Sequence, residues 1–185
     1  MQTVQYLKEI LTELDRAPEL ISGEAAEQLA SAIMDAKRIF VAGAGRSGYM
    51  VKSIAMRLMH IGLNSYVVGE TVTPGIGKGD LLLIGSGSGE TKSLAAMADK
   101  AKSLGADVAL LTTSPQSYIG SVADTVIRLP GSQKDQANAH YKTIQPMGSL
   151  FEQSMLLFGD AVILRIMEHT KQTTESMYGK HANLE

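Results

Sequence analysis

Hydrophobic positions along the chain change period at intervals, and each change marks a new element. Leu7, Ile10, Leu11 and Leu14 recur at helical spacing until Pro18 interrupts them, which predicts an amphipathic helix over residues 3–16. A second helical pattern over 24–36 lines up Leu29, Ile33 and Met34 on its buried face. The apolar run Arg38-Ile39-Phe40-Val41-Ala42 then reads as a first strand, followed by a helix from Tyr49 to Ile61 and a strand at 66–68. Leu81 to Gly85 is the most apolar run of this kind and predicts the central strand. Beyond it, Leu94, Met97, Ala98, Ala101 and Leu104 mark a helix closed by Gly105. A strand at 107–113, a short helical piece at 117–123 and a fifth strand at 125–129 follow. Strands alternating with helices predict an α/β fold whose parallel sheet is covered on both faces.

The rest of the chain breaks this rhythm. Pro130 to Pro146 shows no periodicity, and a connection of that length inside a compact domain reads as a functional lid. From Gly148 to Thr170 the pattern is helical and apolar nearly all round, through Leu150, Phe151, Met155, Leu156, Leu157, Phe158, Val162, Ile163 and Leu164. Such a helix needs cover on every side, which predicts a subunit interface and a homo-oligomer. The two N-terminal helices (3–36) and the segment 148–185 are therefore assigned to subunit contacts. The polar tail from Lys171 to Glu185 reads as disordered.

Composition narrows the function. A chain of 185 residues with 44% hydrophobic residues suits one domain with a sizeable core. A net charge of −2 without any Lys/Arg block argues against nucleic acid as a partner, so an anionic ligand must be small. The most apolar stretch, Met155 to Met167, is interrupted by Asp160 and Arg165, which argues against a membrane span. With no cysteine, disulfides and thiol chemistry are excluded. Lys8, Glu9 and Glu13 interrupt the N-terminus, which therefore lacks a signal-peptide core, and the expected location is the cytoplasm.

Candidate chemistry begins where the central strand ends. Gly85-Ser86-Gly87-Ser88-Gly89-Glu90-Thr91 follows a buried strand and precedes a helix start at Lys92, an arrangement that cradles phosphate. Its glycines let the backbone approach a ligand, while Ser86, Ser88 and Thr91 add hydroxyl donors and Gly87 offers backbone contact. A Walker loop is excluded because no Gly-Lys-Ser/Thr end is present. The plainer alternative is a strand-to-helix turn with Thr91 as its N-cap, which leaves Ser86 and Ser88 without a reason. Gly43-Ala44-Gly45-Arg46-Ser47-Gly48 also fits the dinucleotide pattern G-x-G-x-x-G, with Glu70 as its acidic partner. Two adjacent cradles argue instead for one small phosphorylated molecule enclosed between them. At the start of the apolar helix, Ser149-Leu150-Phe151-Glu152 is a capping-box sequence, so Glu152 reads equally well as a structural cap or as a base.

On these two glycine motifs the chain resembles the sugar isomerase (SIS) domain family over most of its length. Within the family, Gly45-Arg46-Ser47-Gly48, the segment from Tyr141 to Gln153 and the tail His181-Ala182-Asn183-Leu184-Glu185 are similar to members acting on a 3-hexulose 6-phosphate. The resemblance implies a single SIS domain over 1–185 with a five-stranded parallel sheet in a Rossmann-like three-layer sandwich, assembled as a tetramer. It implies that Ser47, Ser86, Ser88 and Thr91 hold a sugar phosphate, that Glu152 is the catalytic base and that His181 assists. The implied reaction converts D-arabino-3-hexulose 6-phosphate to fructose 6-phosphate, in the ribulose monophosphate route of formaldehyde fixation. The functional partner would be the synthase that makes the 3-hexulose. Moving a carbonyl from C3 to C2 through an enediol needs one carboxylate and neither metal nor cofactor. Arg46 reads either as a group that steers the anion or stabilises the enediolate, or as a solvated helix-start residue. His140 is a weaker candidate than His181, and His60 and His169 read as helix-surface residues. The rivals are a non-catalytic phosphosugar-binding module and an isomerase for sedoheptulose 7-phosphate or arabinose 5-phosphate.

Overall fold

The computed structural model describes residues 2–131 and 142–184. Five strands, β1 (Ile39–Gly43), β2 (Ser65–Val67), β3 (Leu81–Gly85), β4 (Asp107–Thr112) and β5 (Thr125–Arg128), form one sheet in the order β2-β1-β3-β4-β5. Every pairing is parallel, as the alternation of elements predicted. The helices are α1 (Thr3–Asp15), α2 (Gly23–Asp35), α3 (Gly45–His60), α4 (Lys92–Ser103), α5 (Tyr118–Val122), α6 (Ser149–Thr170) and α7 (Thr174–Tyr178).

Alternation along the strands divides the core into two layers. Ile39, Val41, Leu81, Leu83, Ala109 and Leu111 pack with residues of α2, α3 and α6 on one face. Phe40, Ala42, Leu82, Ile84, Val108 and Leu110 pack with α4 and α5 on the other. All five β3 residues are buried because β3 has neighbours on both edges and helices on both faces. Its apolar, unalternated sequence is what such a position demands. The chain leaves β1 toward β2 on one side and leaves β3 toward β4 on the other, so the strand order reverses between β1 and β3. Parallel sheets bind ligands outside the carboxyl ends of strands at that reversal. The register pairs Gly43 with Gly85, so both glycine-rich loops leave the sheet side by side there.

Close packing explains two of the glycines. A Cβ on Gly48 would lie 2.7 Å from the Gly43 carbonyl oxygen, and one on Gly85 would lie 2.6 Å from Val51 and 2.8 Å from the Met155 sulfur. They let α3 and α6 approach the strand ends, so the close backbone approach at Gly85 is to α3 and α6.

Several boundaries differ from the sequence reading. Helix α3 begins at Gly45 instead of Tyr49, so Arg46 and Ser47 lie in its first turn. Met34 is only partly buried. A 3₁₀ turn, Ala17–Leu20, forms at Pro18, which suits a helix's first positions even where it ends the preceding one. The tail is not wholly irregular, because Thr173 and Ser176 cap α7 reciprocally. Helix α1 buries none of its residues, leaving Val4, Leu7 and Leu11 exposed, and α6 exposes Leu157 and Leu164 two turns apart.

At the opposite, N-terminal edge of the sheet, the Arg38 guanidinium donates two bonds (3.0 and 2.7 Å) to the buried Asp80 carboxylate, which also accepts from the Gly77 amide at 2.8 Å. Burial alone would raise the Asp80 pKa, but these bonds and the Arg38 and Lys37 charges hold it below the usual carboxylate value of 3.8. A depressed native pKa contributes stability fully present above the unfolded value and lost as pH falls through the native one. Asp80→Asn is expected to cost about 2–3 kcal/mol at pH 7, less than a fully buried pair because Arg38 keeps part of its side chain in water. Urea midpoints measured from pH 7 down to pH 3 should show the difference from the parent shrinking at the acid end; a constant difference would disprove the assignment.

Candidate functional site

The loop after β3 is built to leave donors unspent. Gly89 has φ +64, a left-handed value that glycine adopts freely, and a Cβ there would collide with Ser117. Its N–H donates to the buried Ser86 Oγ at 3.1 Å, and the Glu90 N–H donates to Ser88 Oγ at 3.2 Å. Each serine thereby acts as an acceptor and keeps its own O–H proton for another partner. The Gly87 carbonyl receives Thr112 Oγ1 (3.0 Å), Thr113 Oγ1 (2.8 Å) and the Thr113 N–H (3.1 Å) from the end of β4. Because the peptide is trans and planar, drawing that oxygen toward β4 turns the Ser88 N–H the other way. Among the described residues, the Gly87 and Ser88 amides find no protein acceptor.

Thr91 occupies the N-cap of α4 yet makes no side-chain capping bond. The plain-turn alternative needed that bond, so the Thr91 hydroxyl remains free of the helix it precedes. The loop thus gathers hydroxyls and amides at the N-terminus of a twelve-residue helix, where the dipole favours an anion. Glu90, unassigned in the sequence reading, accepts the Tyr118 N–H at 2.7 Å and ties the loop to α5. The partners are 28 positions apart, beyond the reach of any local spacing rule.

The second half of the site joins the first turns of α3 and α6. Arg46 Nη1 lies 3.1 Å from Glu152 Oε2 and donates to Ser149 Oγ at 2.9 Å. Ser47 Oγ donates to Glu152 Oε1 across a long 3.4 Å, from 105 positions away. The capping box does not form, because Gly148 is the N-cap and Ser149, already inside the helix, turns its hydroxyl to Arg46. Glu152 is thereby shifted past the position from which a box glutamate reaches back. Its carboxylate, 12% exposed, is held by two groups of α3, and Arg46 is not simply a solvated helix-start residue. A Cβ on Gly87 would sit 3.4 Å from the Phe151 ring, so the start of α6 lies against the phosphate-type loop.

His181 is not brought to this cluster within the chain. Its ring stacks on His60 with centroids 5.5 Å apart and planes at 17°. His60 ends α3, thirteen residues beyond Ser47, so the helix alone separates them by ~20 Å. Contrary to the surface assignment, His60 is buried, because the tail covers it. Burial, with the Arg57 and His181 charges, pushes its pKa below the usual 6.5. His169 is exposed, as expected.

His140 and most of the expected lid lie outside the described residues. The end of that segment is anchored, since Glu13 of α1 accepts Thr143 Oγ1 (2.6 Å), the Ile144 N–H (2.8 Å) and Gln145 Nε2 (2.9 Å). Burial would raise the Glu13 pKa, yet these bonds and Arg16 hold it below the ordinary value. Glu70, the acidic residue a dinucleotide site would use, pairs with Lys52 at 3.7 Å on the surface.

No helix among the described residues is long and apolar enough to cross a membrane. The SIS domain family model matches residues 32–157. Over all 185 residues, the whole of both chains, the sequence is 60% identical to 3-hexulose-6-phosphate isomerase of Bacillus subtilis. It is 45% identical over 157 residues to the enzyme of that name from Mycobacterium gastri, covering 85% of this chain and 78% of that one. A crystal structure of a hypothetical protein from Methanococcus jannaschii, from which the function of a 3-hexulose-6-phosphate isomerase was inferred, superposes with a TM-score of 0.81. That pair is 32% identical and the match covers 98% of this chain and 99% of the other.

Proposed function

The chain belongs to the SIS domain family, and we propose that it isomerises D-arabino-3-hexulose 6-phosphate to fructose 6-phosphate through a 2,3-enediol. The observation that carries this reading is a carboxylate, Glu152, fixed by Arg46 and Ser47 beside a loop of unspent hydroxyl and amide donors. The 6-phosphate sits on Ser86, Ser88 and Thr91, with Ser47 and the Gly87 backbone completing the cradle. Glu152 takes the proton from C2, the C–H electron pair becomes the C2–C3 double bond, and the C3 carbonyl oxygen gains a proton. Loss of the O2 proton re-forms a carbonyl at C2 while Glu152 returns its proton to C3. His181 relays the proton from O2 to O3, and it comes from a neighbouring subunit, because in its own chain it rests on His60, ~20 Å along α3 from Ser47. Arg46 orients the carboxylate and offsets enediolate charge. With O6 phosphorylated and the carbonyl at C3, no five- or six-membered ring closes, so Glu152 meets an open chain.

The exposed apolar faces of α1 and α6 support a homo-oligomer, a tetramer by family, built through segments 3–36 and 148–185 of a single 1–185 domain. The enzyme works in the cytoplasm beside the hexulose-phosphate synthase of the ribulose monophosphate route. The deciding assay follows fructose 6-phosphate formed from enzymatically made 3-hexulose 6-phosphate, with sedoheptulose 7-phosphate and arabinose 5-phosphate as controls. Turnover of the 3-hexulose alone is expected; binding without turnover would make the chain a phosphosugar sensor.

Ser86→Ala with Ser88→Ala tests the cradle. Each lost hydroxyl bond to a charged phosphate is worth about 1.5–3 kcal/mol, partly made up by the remaining amides, so binding should weaken about 30- to 150-fold. If fructose 6-phosphate raised the melting temperature of the double variant as much as that of the parent, the phosphate would be held elsewhere.

A further inference from the structure

His60 is a buried polar ring that takes no part in the proton transfers of the isomerisation. Its position in the last turn of α3, between Leu58 and Ile61 of the core, would accept an aliphatic side chain without the cost of burying an imidazole. What the imidazole does there can be read from its neighbours. Arg57 Nη1 lies 3.2 Å from His60 Nδ1, and a guanidinium has donors only, so Nδ1 accepts and the single ring proton sits on Nε2. His60 is therefore a neutral ring, and its face is what it offers to His181.

The second ring is fixed by its hydrogen bond in the same way. His181 Nδ1 lies 3.0 Å from the Ala182 carbonyl oxygen, which only accepts, so Nδ1 carries a proton and Nε2 is left to exchange one. That is the tautomer a proton relay between two oxygens needs. The segment carrying His181 has few other means of holding it. Helix α7 buries no residue, Met177 packs only partly against the core, and backbone bonds from Lys180 to Met177 and from His181 to Tyr178 are purely local. Lys180 Nζ lies over Gly62, two positions past His60.

We infer that His60 is a positioning residue for the reaction: its neutral ring, held by Arg57, supports the His181 ring from below and fixes the geometry of the Nε2 that exchanges protons with substrate. This rests on the proposal that His181 acts in catalysis, and it adds a requirement on α3 of the chain that donates His181. The effect should appear in turnover and not in substrate binding, because the phosphate cradle lies at the other end of α3.

The test compares two apolar replacements of similar bulk, with and without a flat ring. His60→Leu fills the site but offers no face to stack on, and it should lower kcat about tenfold with KM within about twofold of the parent. His60→Phe keeps an aromatic face and should hold kcat within about threefold. If the residue only filled space, Leu would serve as well as Phe, and equal parental turnover in both would overturn the inference. A double-mutant cycle supplies the second arm. In the His181→Ala background, His60→Leu should cost nothing further, because the ring it supports is gone. Multiplicative losses would overturn the positioning role while leaving His181 in catalysis. Parental activity of His181→Ala alone would instead remove the premise, a separate outcome read from a separate variant.

Discussion

Glu152→Gln is expected to lower kcat by about 10³-fold or more while moving unfolding stability by less than about 1 kcal/mol. The amide keeps the size of the carboxylate and can still accept one bond from Arg46 or Ser47, but it cannot take a proton from carbon. Little stability is at risk. The capping box that would have made this residue structural is absent, with Gly148 as N-cap and Ser149 bonded to Arg46. What the substitution removes is an ion pair to an arginine whose side chain is 52% exposed, which water and salt already weaken. It also removes a negative charge from the first turn of α6, a favourable place worth about 0.3–1 kcal/mol. Turnover by coupled assay and urea midpoints on the same preparation separate the two effects. Retained turnover would take Glu152 out of the chemistry and leave it as an anchor for Arg46.

The sheet was legible in the sequence because each strand is a short apolar run bounded by glycine, proline or charge, and burial on both faces removes the alternation that would otherwise confuse it. The phosphate-type loop was legible for a related reason. Its donors lie within seven consecutive residues, and local spacing reports local geometry. The Glu152 cluster was not legible from spacing. Arg46, Ser47 and Glu152 meet only because α3 and α6 start at the same edge of the sheet, and the box sequence at 149–152 suggested a local role that a one-residue shift of the N-cap cancels. His60 failed in the same way. Helical periodicity cannot say that a polar tail, over a hundred positions on, returns to cover the end of α3. Glu13 looked like an ordinary charge on an amphipathic helix, yet it gathers the side chain of Thr143, the amide of Ile144 and the side chain of Gln145. Those three residues are part of the segment on which the family resemblance rested, and their bonds to α1 give that segment a structural reason.

Mixed oligomers of Glu152→Gln and His181→Ala chains are expected to recover activity that neither variant has alone. Taken singly, each should be impaired severely, Glu152→Gln as above and His181→Ala by about 10²- to 10³-fold, the usual contribution of a positioned proton-transfer group. In one chain, His181 rests on His60 at the far end of α3 from Ser47, ~20 Å along a helix that is buried against the sheet and cannot bend to close the gap. His181 is exposed where it rests on His60, so it can face a neighbour's site without leaving that stack. If each site draws Glu152 from one subunit and His181 from the next, a His181→Ala chain supplies an intact carboxylate and a Glu152→Gln chain an intact imidazole. Random assembly from equal amounts then makes about one site in four complete, so co-refolded protein should reach about a quarter of parental activity per site. A site built within one chain makes none complete, and activity would stay at the level of the separate variants. The comparison needs mixing to be verified, for example by a tag on one chain only and recovery of both chains on that tag. Verified mixed oligomers with no gain in turnover would rule out the shared site.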